Sequence, residues 1–548
     1  MLKNLLLPAL LFFSAPLLAD TYPKNTAIDA LHYAFAIKLS DQTDVISVTL
    51  TMDVRFKGPG VNALRLDLMN LNTTASAIHS VAPGKGMQVS SITRNGESVA
   101  FNHSNNVLTI PLSPAPAVNE DRRFVITYSG IPSSGLKIAN NKYGERTFFS
   151  DNWPDQARHW LAVIDHPYDK ATSEFIVTAP NHYQVVSNGL KVEQSDLSDG
   201  LRLTHWKQGV PIAPWLYVLG VARFAVQYVD QFEGKSIETW VYAKDRDAGF
   251  IDFAEPSKDV LAFYTDYIGP YAYERLANIQ SNSVSGGMEA ASAILYSESS
   301  VSGKKDPRWR NVVIHEIAHQ WFGNAVTEFD WDDVWLSEGF ATYFTLVYLE
   351  HSAGHDEFVR GLIKSREQII SYLSKNPDSP IVHNNLNDMS KVTSALTYQK
   401  GAWVLHMLRH KVGEVNFQRG IRSYYKKYFN GNATTNDFRQ EMEQASGMDL
   451  MAFFKQWLNR DGLPNIKARW KWDPKTKELL VTVSQKQSLP FAFPLEFGIR
   501  SEDQNIQILK AAVDKSESSF SFPMEKRPLS VSLDPQTKLL GVFEVIQD

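Results

Sequence analysis

The sequence contains no cysteine. That absence excludes disulfides, thiol nucleophiles, thiolate metal sites and lipid attachment through Cys. Any metal ion must be held by imidazoles and carboxylates. An excess of charge is also missing: 55 Lys and Arg stand against 60 Asp and Glu, a net −5 over 548 residues. So small an acidic balance argues against the basic surface of a nucleic-acid binder. No repeat or low-complexity segment occurs, and after the first 20 residues no apolar run is long enough for a membrane helix. Aromatics are plentiful, with 13 Trp, 21 Tyr and 30 Phe, which suits large cores rather than disorder. At roughly 150 residues per domain, this length corresponds to three or four domains.

Residues 1–19 read as a signal peptide. Lys3 supplies the positive start, Leu5 to Leu18 the apolar run, and Ala19-Asp20 a small-residue cleavage site. The competing reading, a membrane anchor, is disfavoured by the short run and by Pro8 and Pro16 within it. The expectation is an exported protein with no stable span in the mature chain. Export without cysteine suits a bacterial periplasm or exterior.

From residue 20 to about 225 the pattern is β. In Ile46-Ser47-Val48-Thr49-Leu50-Thr51-Met52-Asp53-Val54-Arg55-Phe56 apolar and polar residues alternate, which predicts a strand with one buried face. Shorter strands are predicted at Ala63–Leu68, Phe124–Tyr128, Glu174–Thr178 and Gln184–Ser187. The period then changes. Lys258–Tyr267, Arg308–Phe322, Val334–Glu350, Asp356–Leu373, Ala395–His410 and Asn436–Ala445 read as helices within a mainly α domain over 226–460. For Arg308–Phe322, Asp306 can cap, Pro307 suits the first turn and Gly323-Asn324 ends it. Asp461-Gly462-Leu463-Pro464 breaks the pattern, and strand-like segments from Ile466 to Leu533 predict a small β-sandwich over 465–548. The fold class is multidomain α+β.

The feature with most chemistry is His315-Glu316-Ile317-Ala318-His319. Histidines four apart share one helix face and can point at one ion, while Glu316 beside them is free to act as a base. Glu338 lies 19 positions after His319, early in the next predicted helix, where a returning helix can bring its carboxylate to the same ion. Two His and one Glu leave a position open for water, as in a catalytic zinc site.

These residues resemble the zinc aminopeptidases of the membrane alanyl aminopeptidase and leukotriene A hydrolase family, the gluzincin aminopeptidases. The flanks His319-Gln320-Trp321-Phe322-Gly323-Asn324 and Trp335-Leu336-Ser337-Glu338-Gly339-Phe340-Ala341 are similar to that family's, with Ser337 where it usually has Asn. A second motif, Gly286-Gly287-Met288-Glu289-Ala290, is similar to Gly-x-Met-Glu-Asn. The resemblance implies that this segment edges the substrate cleft by β-augmentation and that Glu289 binds the free α-amine. Ala290 replaces the family's Asn and puts substrate orientation in question. Tyr398-Gln399-Lys400-Gly401 is similar to Tyr-x-Lys-Gly, whose tyrosine hydroxyl points at the scissile carbonyl; without that resemblance Tyr398 would read as an ordinary helix-start residue. Ala157-Arg158 and Asp165-His166-Pro167 match the N-terminal region, with Trp153 where many members place a Gln or Glu beside the amine.

The resemblance implies a thermolysin-like catalytic domain, one Zn2+ held by His315, His319 and Glu338, Glu316 as general base and Tyr398 as oxyanion donor. It implies peptide substrates with a free N-terminus. Three other readings use the same residues: an epoxide hydrolase on the same metal, an endopeptidase if Ala290 and Trp153 open the amine end, and a non-enzymatic binding scaffold.

Overall fold

A computed structural model describes residues 20–74, 76, 81–383, 386–502 and 505–548. The signal-peptide residues, 1–19, lie outside them. The N-terminal region is built on an eight-stranded sheet. Its strands are β1 (Ile28–Lys38), β2 (Ile46–Phe56), β3 (Gly86–Arg94), β4 (Glu120–Ile131), β5 (Ala171–Pro180), β6 (Leu190–Asp196) and β7 (Leu201–Ile212), with Glu97–Ser98 at one edge. The order is β6-β7-β5-β1-β2-β4-β3 and then Glu97–Ser98. The predicted alternation decides the faces of β2. Ile46, Val48, Leu50, Met52, Val54 and Phe56 are buried, while the other face carries Asp53 and Arg55. Each of these is registered opposite a residue of reverse charge on β4, Arg123 and Asp121, and meets it in a two-point pair at 2.7–2.8 Å. Against this sheet lie a four-stranded sheet, in the order Gln184–Ser187, Leu219–Ala222, Arg146–Ser150, Leu136–Asn140, and a three-stranded one containing Ala63–Asp67.

The central region opens on a five-stranded sheet of β8 (Phe224–Phe232), β9 (Lys235–Tyr242), β10 (Arg275–Ser281), β11 (Gly287–Met288) and β12 (Ala293–Ser297), ordered β8-β9-β10-β12-β11. Strands β9, β10 and β12 are parallel, and every residue of β10 is buried, as a parallel strand covered on both faces must be. The two-residue strand β11 is antiparallel to β12 and forms the sheet edge. Helices α1 (Pro307–His319), α2 (Trp335–Ala353), α3 (His355–Leu373), α4 (Gly401–Val412), α5 (Glu414–Tyr428) and α6 (Thr435–Ser446) pack beside it. Asp306 caps α1 by accepting from the Arg308 amide at 2.9 Å, as the sequence predicts. The helix ends three residues earlier than predicted, because the chain turns from Gln320 to the left-handed Gly323 at φ 107°.

The C-terminal region is a sandwich of a four-stranded and a three-stranded sheet. Ile466, Ala468, Trp470, Leu479, Val481 and Val483 of one sheet and Leu495, Phe497 and Ile499 of the other are all buried. Among the described residues no helix is long and apolar enough to cross a membrane.

Candidate active site

Helix α1 delivers His315 and His319 one turn apart, so their Nε2 atoms stand 3.1 Å from each other. Glu338, in the first turn of α2, brings Oε2 to 3.3 Å from His319 Nε2 and 3.6 Å from His315 Nε2. Its position near a helix N-terminus favours the ionised carboxylate. That oxygen is buried and accepts no hydrogen bond within the protein. A tetrahedral zinc with bonds of about 2.0–2.1 Å spaces its ligands about 3.3–3.4 Å apart, so this triangle of donors fits such an ion. The arrangement is a candidate metal centre with two imidazoles and one carboxylate.

The glycines of two motifs explain how Glu338 meets Tyr398. A Cβ on Gly339 would lie 3.0 Å from the Gly401 Cα and from the Thr397 carbonyl, so α2 can cross the start of α4 only where both residues lack side chains. At that crossing the chain forms a π-turn over Leu396–Lys400 rather than the regular helix predicted across Ala395–His410. The turn aims Tyr398 inward, and its hydroxyl donates to Glu338 Oε1 at 2.7 Å. Lys400 points the other way and is buried, donating to the Arg460 carbonyl at 3.3 Å.

Glu316 turns from α1 toward β11. A Cβ on Gly287 would lie 2.2 Å from Glu316 Oε1, so this glycine makes room for the carboxylate. Gly286 meets nothing within 4 Å. Met288 is packed in the core, and its contribution at the edge is its backbone. Glu289 follows, buried, with Oε1 unpartnered and 3.9 Å from His319 Nδ1. Donor atoms of Glu289, Glu316 and His319 all lie within 4.8 Å of one another. The structure thus gathers His315, Glu316, His319, Glu338, Tyr398, Gly287 and Glu289 into one cluster, while Arg158 pairs with Asp165 and His166 with Asp20.

Residues not singled out hold them in place. Gln320 and Asn324 both donate to the Glu289 carbonyl, at 3.0 and 2.6 Å, and Gln320 also accepts from the Ser292 amide at 3.0 Å. They belong to the His319–Asn324 flank, so the signal was present in the motif, but their partner is distant in sequence. Ser337 is buried with Oγ 3.1 Å from His319 Nδ1, which also faces the Phe322 carbonyl at 3.1 Å. Such a contact fixes the tautomer and ring orientation of a ligating histidine. Ala290 is buried and leaves no polar group at its position. Trp153 joins an edge-to-face cluster with Trp215 and Trp331, with ring centres 4.8 and 5.2 Å away. Two residues earlier, Asp151 lines a cavity of about 530 Å³ with Trp153 and Ser283, and its charge is felt at Glu289.

The electrostatics are those of an acid surplus. Burial, reinforced by Glu289 and Glu338, holds Glu316 well above the ordinary carboxylate range. Burial pushes Glu289 up to about 7. Burial also opposes ionisation of Glu338, yet the two histidines hold it down at about 2. His319 is carried up to about 10 by Glu289 and Glu338 against its own burial. Three carboxylates around two imidazoles leave room for added positive charge, which a divalent cation and a substrate ammonium would supply.

A helix-borne His-Glu-x-x-His with a carboxylate from the following helix is the donor set of a catalytic type of zinc site. Residues 29–216 match the peptidase M1 N-terminal domain and residues 254–457 the peptidase family M1 domain. The chain belongs to peptidase family M1. It is 26% identical to glutamyl aminopeptidase of Mus musculus over 362 residues, which is 64% of this chain and 38% of that protein. Aminopeptidase A of Legionella pneumophila, solved with aspartic acid, superposes with a TM-score of 0.77 at 20% identity, covering 95% of this chain and 60% of that one. An M1 zinc metallopeptidase of Deinococcus radiodurans gives a TM-score of 0.67 at 25% identity, covering 80% and 95%. The chain spans well under half the length of the mouse relative.

Proposed function

We propose that the chain is a zinc-dependent aminopeptidase that hydrolyses the N-terminal peptide bond of peptides. The observation that carries this reading is the position of Glu289. Its buried, unpartnered oxygen shares one cluster with Glu316 and His319, all within 4.8 Å. A carboxylate there accepts a charge-assisted hydrogen bond from an α-ammonium. Only the first carbonyl then comes within reach of the metal ligands, which makes the cut exopeptidic by geometry. The edge strand β11 offers backbone groups along which the peptide can lie.

His315, His319 and Glu338 would hold the zinc ion, which supplies a Lewis acid that polarises the carbonyl and acidifies a water. Glu316 takes the proton of the attacking water and returns it to the leaving amine. Tyr398, which rests on Glu338 Oε1 in this structure, donates its hydroxyl to the oxygen that gains charge. Glu289, tied through its carbonyl to Gln320 and Asn324, keeps the substrate terminus in register. The Lys3 start, the apolar run and the Ala19-Asp20 site support export to a bacterial periplasm or exterior.

The test is to measure zinc content and peptide hydrolysis together. About one zinc per chain, loss of hydrolysis on chelation and recovery on adding zinc are expected. A chelator-insensitive activity would refute the reading.

A further inference from the structure

The first described residue, Asp20, is buried at 6% exposure. Its nitrogen donates to Asp330 Oδ1 at 3.0 Å. Its own carboxylate accepts from the Trp331 amide at 3.1 Å, from His166 Nε2 at 2.7 Å and from Lys24 Nζ at 2.7 Å. Lys24 also lies 2.8 Å from Asp330 Oδ2, so one cation is shared between two acids. Thr21 adds a backbone bond to the Leu386 carbonyl at 3.2 Å, and the Leu386 amide donates to Asp332 Oδ1 at 3.0 Å. Both ends of this web close on Asp330–Asp333. Asp330 caps the short turn Trp331–Asp333, which runs directly into α2 and Glu338.

The sequence places its cleavage signal at this same nitrogen. We propose that the α-ammonium released at Asp20 by hydrolysis of the Ala19–Asp20 bond is bound by Asp330, so that removal of the leader completes the turn that carries Glu338 into the metal centre. In that step a leader-cleaving endopeptidase adds water across the amide. The C–N bond breaks, Ala19 leaves as a carboxylate, and the Asp20 nitrogen takes a proton, as an α-amine near neutral pH does. Because Asp20 is buried once folded, hydrolysis precedes folding. An amide nitrogen gives Asp330 one neutral donor. An ammonium at the same place gives a full charge and supplies the second cation for a cluster in which Asp20 and Asp330 share Lys24. Removing one partner from such a buried pair is costly, because the other charge is left behind.

The experiment expresses the full chain with its leader and reads the N-terminus of the exported product by mass spectrometry. That product is compared with a form carrying Ala-Gly ahead of Asp20, each with and without Asp330→Asn. The product is expected to begin at Asp20. The extension and Asp330→Asn are each expected to lower Tm by about 2–4 °C and to speed zinc loss to a chelator, with a combined effect no larger than the greater single one. A different start, an extension that leaves Tm unchanged, or fully additive effects would overturn the proposal. Should Asp330→Asn not fold, amine-selective acylation of the exported product decides. Modification of the Asp20 amine only after denaturation is expected, and equal labelling of folded and unfolded protein contradicts the pairing.

Discussion

The side-chain amide of Gln320, the residue after the second metal-helix histidine, donates to the backbone carbonyl of Glu289 at 3.0 Å. With the Asn324 amide, which donates to the same carbonyl at 2.6 Å, it ties the strand edge that would receive the substrate amine to the helix that would hold the ion. Gln320→Leu removes it and leaves buried polar groups short of a partner. The expected result is a KM for free-amine peptides raised about tenfold, with kcat changed less. Steady-state kinetics check it; a fall in kcat alone would contradict a positioning role.

Gly287 makes the room that Glu316 occupies, since a Cβ would stand 2.2 Å from its Oε1. Gly287→Ala should displace the carboxylate and cost about 10²-fold in turnover. Tm should barely move, because the change lies on a two-residue edge strand. Activity close to that of the parent would show that Glu316 tolerates displacement and would weaken its assignment as base.

Glu316→Gln keeps the shape of the side chain and removes the proton acceptor. Zinc content should persist while kcat falls roughly 10²–10⁴-fold. Tyr398→Phe removes the hydroxyl that lies 2.7 Å from Glu338 and should lower kcat by about 10²–10³ with KM little changed. Metal analysis beside kinetics separates the two effects from loss of the ion. A Tyr398→Phe rate within about twofold of the parent would remove that residue from the mechanism.

Stability should fall as pH drops below neutrality. Burial drives His406 down to about 3 and His159 down to about 4, against 6.5 for the free side chain. Their folded pKa values are depressed, so in the window from about 6.5 to 4 the unfolded chain binds protons that the folded chain does not, and stability rises with pH. His406 donates from Nε2 to the Thr537 carbonyl at 2.8 Å, joining α4 to the C-terminal region. Urea midpoints at pH 7 and pH 5 test this. His406→Gln should flatten the slope, and an unchanged slope would contradict the assignment.

The sequence patterns foretold the regular elements because local periodicity governs them. The alternation of Ile46–Phe56 and the Asp306-Pro307 start of α1 appear in the structure as read. The metal triangle was equally legible, since helical spacing places His315 and His319 together. The π-turn at Tyr398 was not. It depends on the Gly339–Gly401 approach, a contact between segments about sixty residues apart that no local pattern encodes. Asp151 carried no local signal for the same reason: its charge reaches Glu289, 138 residues away in sequence, only through the fold.

The most direct measurement follows matched peptides, free and N-acetylated, with the zinc-loaded protein and reads the products by mass spectrometry. Stepwise loss of N-terminal residues from the free peptides, with the acetylated ones intact, is the expected result, and Glu289→Ala should abolish that difference. Internal cuts in both sets would contradict the amine anchor and make the protein an endopeptidase instead.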